Sequence, residues 1–465
     1  MKDEFKFSNV CVCWNKWHAD LVSVFFEQLE KNEIKYVVLK NSEGLPYENF
    51  SKDIDILIQP GSYKRVAKIL HSIYVKFGVT NLKINKFERL RCWYGFDLNN
   101  NRAIHIDLLE GFLHKGFELF PFELFYKHSY KNSNGVYVLD ELYDAIILLL
   151  HSTICYHSIK QKYADKISKI YQQNKNEVDV VLKQVLGKDA SLKMINLLMD
   201  GNYNSIAQKG GYFSLASKKK IFVSKPIFTL YNVFDFLFEK ILRIVFNLNK
   251  YKIFCSVHAP DGTGKTTFIK FLGEKLGFYF VCNPQDLISI YHFRPNMLPN
   301  LGAVGEKVGA MKQDVDFTNP HRAKPVGRFS SFVRMCYYWV DYIVGMPIIL
   351  RKNAQFDKIT IFDRYIYDFL VDPRRSRINL PYWVRKVFAK LVKSPSLVFV
   401  LKTDADTIYN RKQELEKDEI ERQLKEFDKL SDLNNNVYFL DASKTPDEIA
   451  DEAIKIFIDK FTEKL

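Results

Sequence analysis

Hydrophobic and polar positions follow two different rhythms along this chain. From about residue 20 to 115, a segment with apolar residues at helical spacing (HADLVSVFFEQLEKN) is followed by short β-branched runs, KYVVL, DIDILI and AIHIDLL. That mixture predicts an α/β or α+β unit. From Leu139 to about Leu198 the spacing is helical with few turn signals, which predicts a helical subdomain. After residue 252 the pattern becomes strand, glycine loop and helix, with later strands ITIFD and LVFVL between helical stretches. A parallel α/β sheet is expected there. No internal repeat or low-complexity tract interrupts the chain, so the expected divisions are residues 1–136, 137–200, 201–250 and 251–465.

Composition adds to this picture. With 465 residues, 47% hydrophobic and 15% aromatic, the chain is long enough for several domains and outside the disordered regime. The net charge of +14 favours phosphate-bearing partners: nucleotides, nucleic acid or an anionic membrane surface. Between Gly201 and Lys250, seven Lys and one Arg face one Asp and one Glu, so this basic connector holds six of the excess charges. Seven cysteines without a CxxC pair fit a reduced compartment. The opening residues, MKDEFKF, carry acids where a signal peptide has bases before an apolar run. The expected address is cytoplasmic.

Within the connector, residues 227–246 (IFTLYNVFDFLFEKILRIVF) follow Lys218, Lys219 and Lys220, as in helices that lie on anionic bilayers. Asp235, Glu239, Lys240 and Arg243 form a polar side that an interdomain helix would also show. Packing between domains is the preferred expectation, with peripheral membrane contact as its rival.

Chemistry concentrates in two places. In the second half, a short apolar run precedes Asp261-Gly262-Thr263-Gly264-Lys265-Thr266-Thr267, and a helix with apolar positions Phe268, Ile269, Phe271 and Leu272 follows. This is the setting of a Walker A phosphate loop, with Ala259 in place of the usual first glycine. The glycines let backbone N–H groups turn toward phosphate, Lys265 reaches the β and γ phosphates, and the Thr266 hydroxyl suits Mg²⁺. ATP and Mg²⁺ are the expected cofactors.

In the first half, strand alternation sends Asp53 and Asp55 to one face, and Asp107 ends a second β-branched run. Three such acids are candidate ligands for divalent metal. Solvated acids at strand ends are the plain alternative. His105 alternates onto the face of Asp107 but reads as a core residue, as do His151 and His157.

From Lys252 to Leu465 the chain resembles the thymidylate kinase-like P-loop proteins, whose loop ends in DGxGK[ST][ST]. Further matching blocks are His292-Phe293-Arg294-Pro295, Asp363-Arg364-Tyr365, Asp372-Pro373-Arg374-Arg375-Ser376-Arg377 and the late helix bearing Arg411. The resemblance implies Mg²⁺-linked Asp363, acceptor-binding Arg294 and Arg364, and a lid whose Arg374, Arg375 and Arg377 close over the triphosphate. The loop from Ala259 to Gly264 has no basic residue, so charge over the transferring group must come from elsewhere. Where the thymidylate enzymes use an Arg, SFVRMCYYWVDY places Tyr342, with Tyr337, Tyr338 and Trp339 nearby as stacking rings or plain core. The chain looks more like relatives encoded among bacterial surface-polysaccharide genes. A phosphorylated sugar, polyol or lipid-linked glycan is therefore the expected acceptor.

Residues from about 20 to 200 resemble nucleotidyltransferase-like proteins that read LKG before DIDLL. Here Leu39-Lys40-Asn41-Ser42 has Asn where the family has Gly, the residue next best able to adopt positive φ. The resemblance places Ser42 at the triphosphate, with Asp53 and Asp55 as Mg²⁺ ligands and Asp107 as ligand and activator of an acceptor hydroxyl. The combined expectation is a bifunctional enzyme without a nucleic-acid partner. Its rival is a nucleotide-regulated or nucleic-acid-associated module with an inactive transferase fold.

Overall fold

A computed structural model describes residues 7–8, 12–86, 88–245, 254–299, 327–355 and 358–462. Residues 246–253, onto which the end of the basic connector falls, lie outside them. The chain divides into two compact units, one built from residues 12–245 and 279–281 and the other mainly from residues 254–278 and 282–462.

The first unit is organised on a mixed sheet of seven strands. In chain order these are β1 (Tyr36–Leu39), β2 (Ile54–Ile58), β3 (Thr80–Asn85), β4 (Leu90–Asp97) and β5 (Arg102–Leu109), and later β8 (Ser129–Lys131) and β9 (Tyr137–Leu139). A separate hairpin pairs β6 (Phe112–His114) with β7 (Phe117–Phe120). The sheet order is β3-β4-β5-β2-β1-β9-β8, with β2 parallel to β5 and antiparallel to β1.

Alternation decides what each face does. Tyr36, Val38, Ile54, Ile56, Ile104 and Ile106 point to one side, where they pack with the helices Lys16–Lys31 and Tyr63–Lys76. Val37, Leu39 and Leu57 point to the other, into a core shared with helices between Glu141 and Leu198. The helical segment is thus a second layer over the sheet. The expected connector is itself helical as far as residue 245, with Ile206 and Phe213 in that same core.

The second unit carries the parallel sheet that the strand–loop–helix rhythm predicts. Its strands are β10 (Phe254–His258), β11 (Ile288–His292), β12 (Ile359–Asp363), β13 (Leu397–Lys402) and β14 (Val437–Asp441), ordered β11-β12-β10-β13-β14 and all parallel. β10, β12 and β13 are buried almost throughout, as suits strands covered on both faces. β10 is central and feeds the glycine loop, so the loop emerges at the carboxyl edge where parallel sheets bind ligands.

Candidate functional sites

The glycine loop joins β10 to the helix Lys265–Tyr279. Gly262 and Gly264 have φ of 88° and 99°, a region open to glycine and strained for other residues, so the GxGK spacing reports a real backbone requirement. Thr263 ties the turn by donating its hydroxyl to the Pro260 carbonyl at 3.0 Å. Ala259 is fully buried and accommodated. Thr266 and Thr267 are exposed in the first helical turn.

Register sets the rest of the site, because Val257 of β10 lies opposite Asp363 at the end of β12. The Lys265 Nζ stands 3.5 Å from Asp363 Oδ1, and the His292 ring approaches Asp363 Oδ2 at 3.2 Å. Burial alone would raise the Asp363 carboxyl, but His292, Lys265 and Arg364 outweigh it and hold it below the usual range. Asp363 Oδ1 is buried and accepts no hydrogen bond among the described residues. Burial, with Arg364 nearby, lowers the Lys265 ammonium.

Behind the loop runs a buried chain of charges. The His258 ring, fully buried, meets Ser256 Oγ at 3.1 Å through Nε2 and Asp368 Oδ1 at 2.9 Å through Nδ1. Arg364, with φ of 69°, donates to Asp368 Oδ2 at 2.6 Å and also to Asp261 Oδ1. Arg375 donates to the other Asp261 oxygen at 2.7 Å. Burial would raise Asp368, yet Arg364 and His258 hold it far below an ordinary carboxylate, so it stays anionic. Replacing Asp368 by Asn removes one of the two carboxylates that face the buried Arg364 and should cost about 1.5–3 kcal/mol of stability, measured by urea unfolding at neutral pH. A group with a lowered native pKa contributes stability above its unfolded pKa and loses it as pH falls. The deficit of Asp368→Asn should therefore shrink in acid below about pH 4. An equal deficit at every pH would refute this origin.

Arg294 and Arg364, expected to grip an acceptor, have other partners. Arg294 is buried, donating to Asp341 Oδ2 at 2.9 Å and to the Leu298 and Pro299 carbonyls. Asp341 also accepts from the backbone N–H groups of Asn296, Met297 and Leu298, moulding that loop around itself. A Cβ on Gly345 would come within 2.4 Å of Pro295, so the same loop presses on the helix Arg328–Gln355. Tyr342 is fully buried and donates to the Phe293 carbonyl, while Tyr338 stacks on Phe369 in the core. Both rings belong to the core. Of the lid arginines, Arg374 is exposed with Glu419 3.9 Å away, Arg377 is half-buried with φ of 54°, and Arg375 meets the phosphate loop at Asp261.

In the first unit the parallel register β2–β5 places Asp55 opposite Asp107. Ligand oxygens of Asp53, Asp55 and Asp107 lie within 4.8 Å of one another, on the sheet face covered by the helical layer. Burial and the neighbouring carboxylates outweigh Lys40 and lift Asp55 to about 6. Asp107 is also buried, but His105 and Cys92 bring it down to about 2. The His105 Nε2–Asp107 distance is 2.8 Å, and the Tyr94 ring stacks on His105 at 4.2 Å, so His105 braces an acid instead of filling core. Lys40 was not singled out in the sequence; its Nζ lies 3.7 Å from Asp55. Lys40 and Asn41 have φ of 57° and 43°, the backbone kink for which the Asn substitution was the signal. Ser42 is half-buried beyond that kink, its carbonyl accepting from Leu45 N–H.

No family model and no curated protein matches the chain. Among solved structures it is similar to the thymidylate kinase from Ehrlichia chaffeensis, with 17% identity over 44% of this chain and 98% of that one, at a TM-score of 0.29. A likeness that weak adds nothing to the site, which stands on its own geometry: a mixed α/β chain with a parallel sheet, a glycine loop at its carboxyl edge and an acid triad on a second sheet.

Proposed function

We propose that the second unit is an ATP-dependent phosphotransferase acting on a small acceptor. The observation that carries this is the Lys265–Asp363 pair at the carboxyl edge, next to a loop whose two glycines hold positive φ. The donors there fit Mg²⁺: an exposed Thr266 hydroxyl and a buried Asp363 oxygen that accepts no hydrogen bond among the described residues. A bound Mg²⁺ supplies neutralisation of phosphate charge. The helix start and loop N–H groups cradle the phosphates, and Lys265 stabilises charge shifting to the leaving ADP. The γ-phosphorus exchanges its bond to the bridging oxygen for one to an acceptor oxygen.

Asp261 holds Arg375 beside the loop, where a lid cation would act. Replacing Arg374, Arg375 and Arg377 together by Ala should lower turnover about 10³-fold with little change in ATP affinity. Steady-state rates compared with calorimetric ATP binding check this, and wild-type turnover removes the lid role. With their guanidiniums paired to carboxylates, Arg294 and Arg364 are better suited to shaping the acceptor loop and the phosphate loop than to gripping a ligand.

For the first unit the proposed activity is Mg²⁺-dependent nucleotidyl transfer, with oxygen donors Asp53, Asp55 and Asp107 close enough to share a hard cation. Binding without turnover is the second reading, favoured by Lys40, whose ammonium already faces Asp55. A shared role in surface-polysaccharide assembly is the context that the sequence resemblance suggests. Labelled ATP offered with nucleoside monophosphates, sugar phosphates and polyols tests the acceptor. Efficient use of thymidine monophosphate, above about 10⁴ M⁻¹s⁻¹ in kcat/KM, would overturn the sugar or polyol reading.

A further inference from the structure

The helix Pro226–Val245 turns a mixed side inward, with Thr229 and Asn232 buried and Val233, Phe236 and Leu242 half-buried. Thr229 and Asn232 are only 2% and 3% exposed, and neither Thr229 Oγ1 nor Asn232 Nδ2 finds a hydrogen-bond partner among the described residues. Arg89 donates to Asn232 Oδ1 at 3.0 Å. A Cβ on Gly116 would come within 2.6 Å of the Val233 backbone, so the helix is seated hard on the turn between β6 and β7. Glu239, half-buried, lines a small cavity with Glu88 and Arg89, and Asp235 reaches the same cavity while staying exposed.

The opposite face is apolar and open. Ile227, Leu230, Tyr231, Phe234, Phe238 and Ile241 recur at intervals of three and four residues, and the most exposed, Ile227, is 84% open. Phe234 and Phe238 stack on each other outside the core. A helix that contributes to a core normally turns its apolar stripe inward. This one leaves a second apolar stripe outside, and contiguous apolar surface of this kind marks a docking face.

Charge selects the occupant. Lys219 and Lys220 are exposed just upstream and Lys240 is exposed along the helix, whereas Lys225 is paired with Glu118 at 3.2 Å. Among the described residues no helix is long and apolar enough to cross a membrane. We infer that this helix lies flat on an anionic phospholipid bilayer, with its aromatic and aliphatic stripe among the acyl chains and Lys219 and Lys220 at the headgroups. The sequence alone favoured packing between domains; the membrane reading rests on the exposed stripe and the exposed lysines just upstream of it. The inference is independent of the proposed kinase activity.

The test is co-sedimentation of the full chain with vesicles of phosphatidylglycerol and phosphatidylcholine, against phosphatidylcholine alone. Binding should require phosphatidylglycerol and weaken with added salt. The exposed-site variant Phe234→Ser/Phe238→Ser should lower partitioning about tenfold or more, from the loss of two buried rings. Lys219→Glu/Lys220→Glu should weaken binding to anionic vesicles to a similar degree. Thermal unfolding should match wild type in both variants, which separates lost docking from lost folding. Three results would overturn the inference: no sedimentation with anionic vesicles, sedimentation unchanged in both variants, or sedimentation velocity showing self-association that Phe234→Ser/Phe238→Ser removes, which assigns the stripe to a second copy.

Discussion

Lys265→Ala should reduce phosphoryl transfer by about 10³-fold or more, measured as ADP formed from labelled ATP. The cation sits 3.5 Å from Asp363 and is the basic side chain at the mouth of a loop with none of its own between Ala259 and Gly264. A methyl group cannot follow charge as it moves to the leaving group, so the loss should fall mainly on kcat. Folding should survive, because burial already disfavours the Lys265 ammonium. Thermal melting close to wild type establishes that. An unimpaired rate would remove the phosphotransferase reading.

The second large effect belongs to the acid triad and is read in the Lys265→Ala background, where the phosphate loop is weakened. Calorimetry there should still detect nucleotide binding that depends on Mg²⁺. Asp53→Asn or Asp55→Asn should weaken it about 100-fold, since each removes a formal charge from the cation's ligands while keeping the side chain's shape. At Asp55 the change has a further effect, leaving Lys40 without the carboxylate that faces it. Heats that ignore Mg²⁺, or that stay the same in both variants, would end the transferase proposal. Binding that persists with no nucleotidyl product leaves the module reading.

What could be read from the chain was whatever depends on near neighbours. Gly262 and Gly264 signalled a backbone conformation, and alternation through Asp53-Ile54-Asp55 signalled a shared face; both are local geometry. The pairing of Asp55 with Asp107 required only that β2 and β5 be adjacent and parallel. The ion pairs were not legible in this way. His258 finds Asp368 across 110 residues and Arg294 finds Asp341 across 47, and composition cannot say which carboxylate a guanidinium will meet. Arg294 and Arg364 were therefore expected at the acceptor when the fold gives them buried acids. Lys40 was hidden for a related reason, since its importance arises from a β1–β2 register in which Leu39 lies opposite Asp55. The exposed stripe of the helix Pro226–Val245 escaped because periodicity identifies apolar positions but not the direction in which they face.

Asp261 holds two guanidiniums, one from a residue 103 positions later and one from a residue 114 positions later. Its two oxygens thus tie the phosphate loop, the end of β12 and the arginine segment beyond it into a single part. Loop exchange with another P-loop protein would have to move all three pieces at once. A transplanted arginine segment without its acid would arrive with nothing to hold it beside the loop, and a transplanted loop without its arginines would import a half-buried anion that has lost both guanidiniums. Drift at any one of these positions is constrained by the other two, although they lie far apart along the chain.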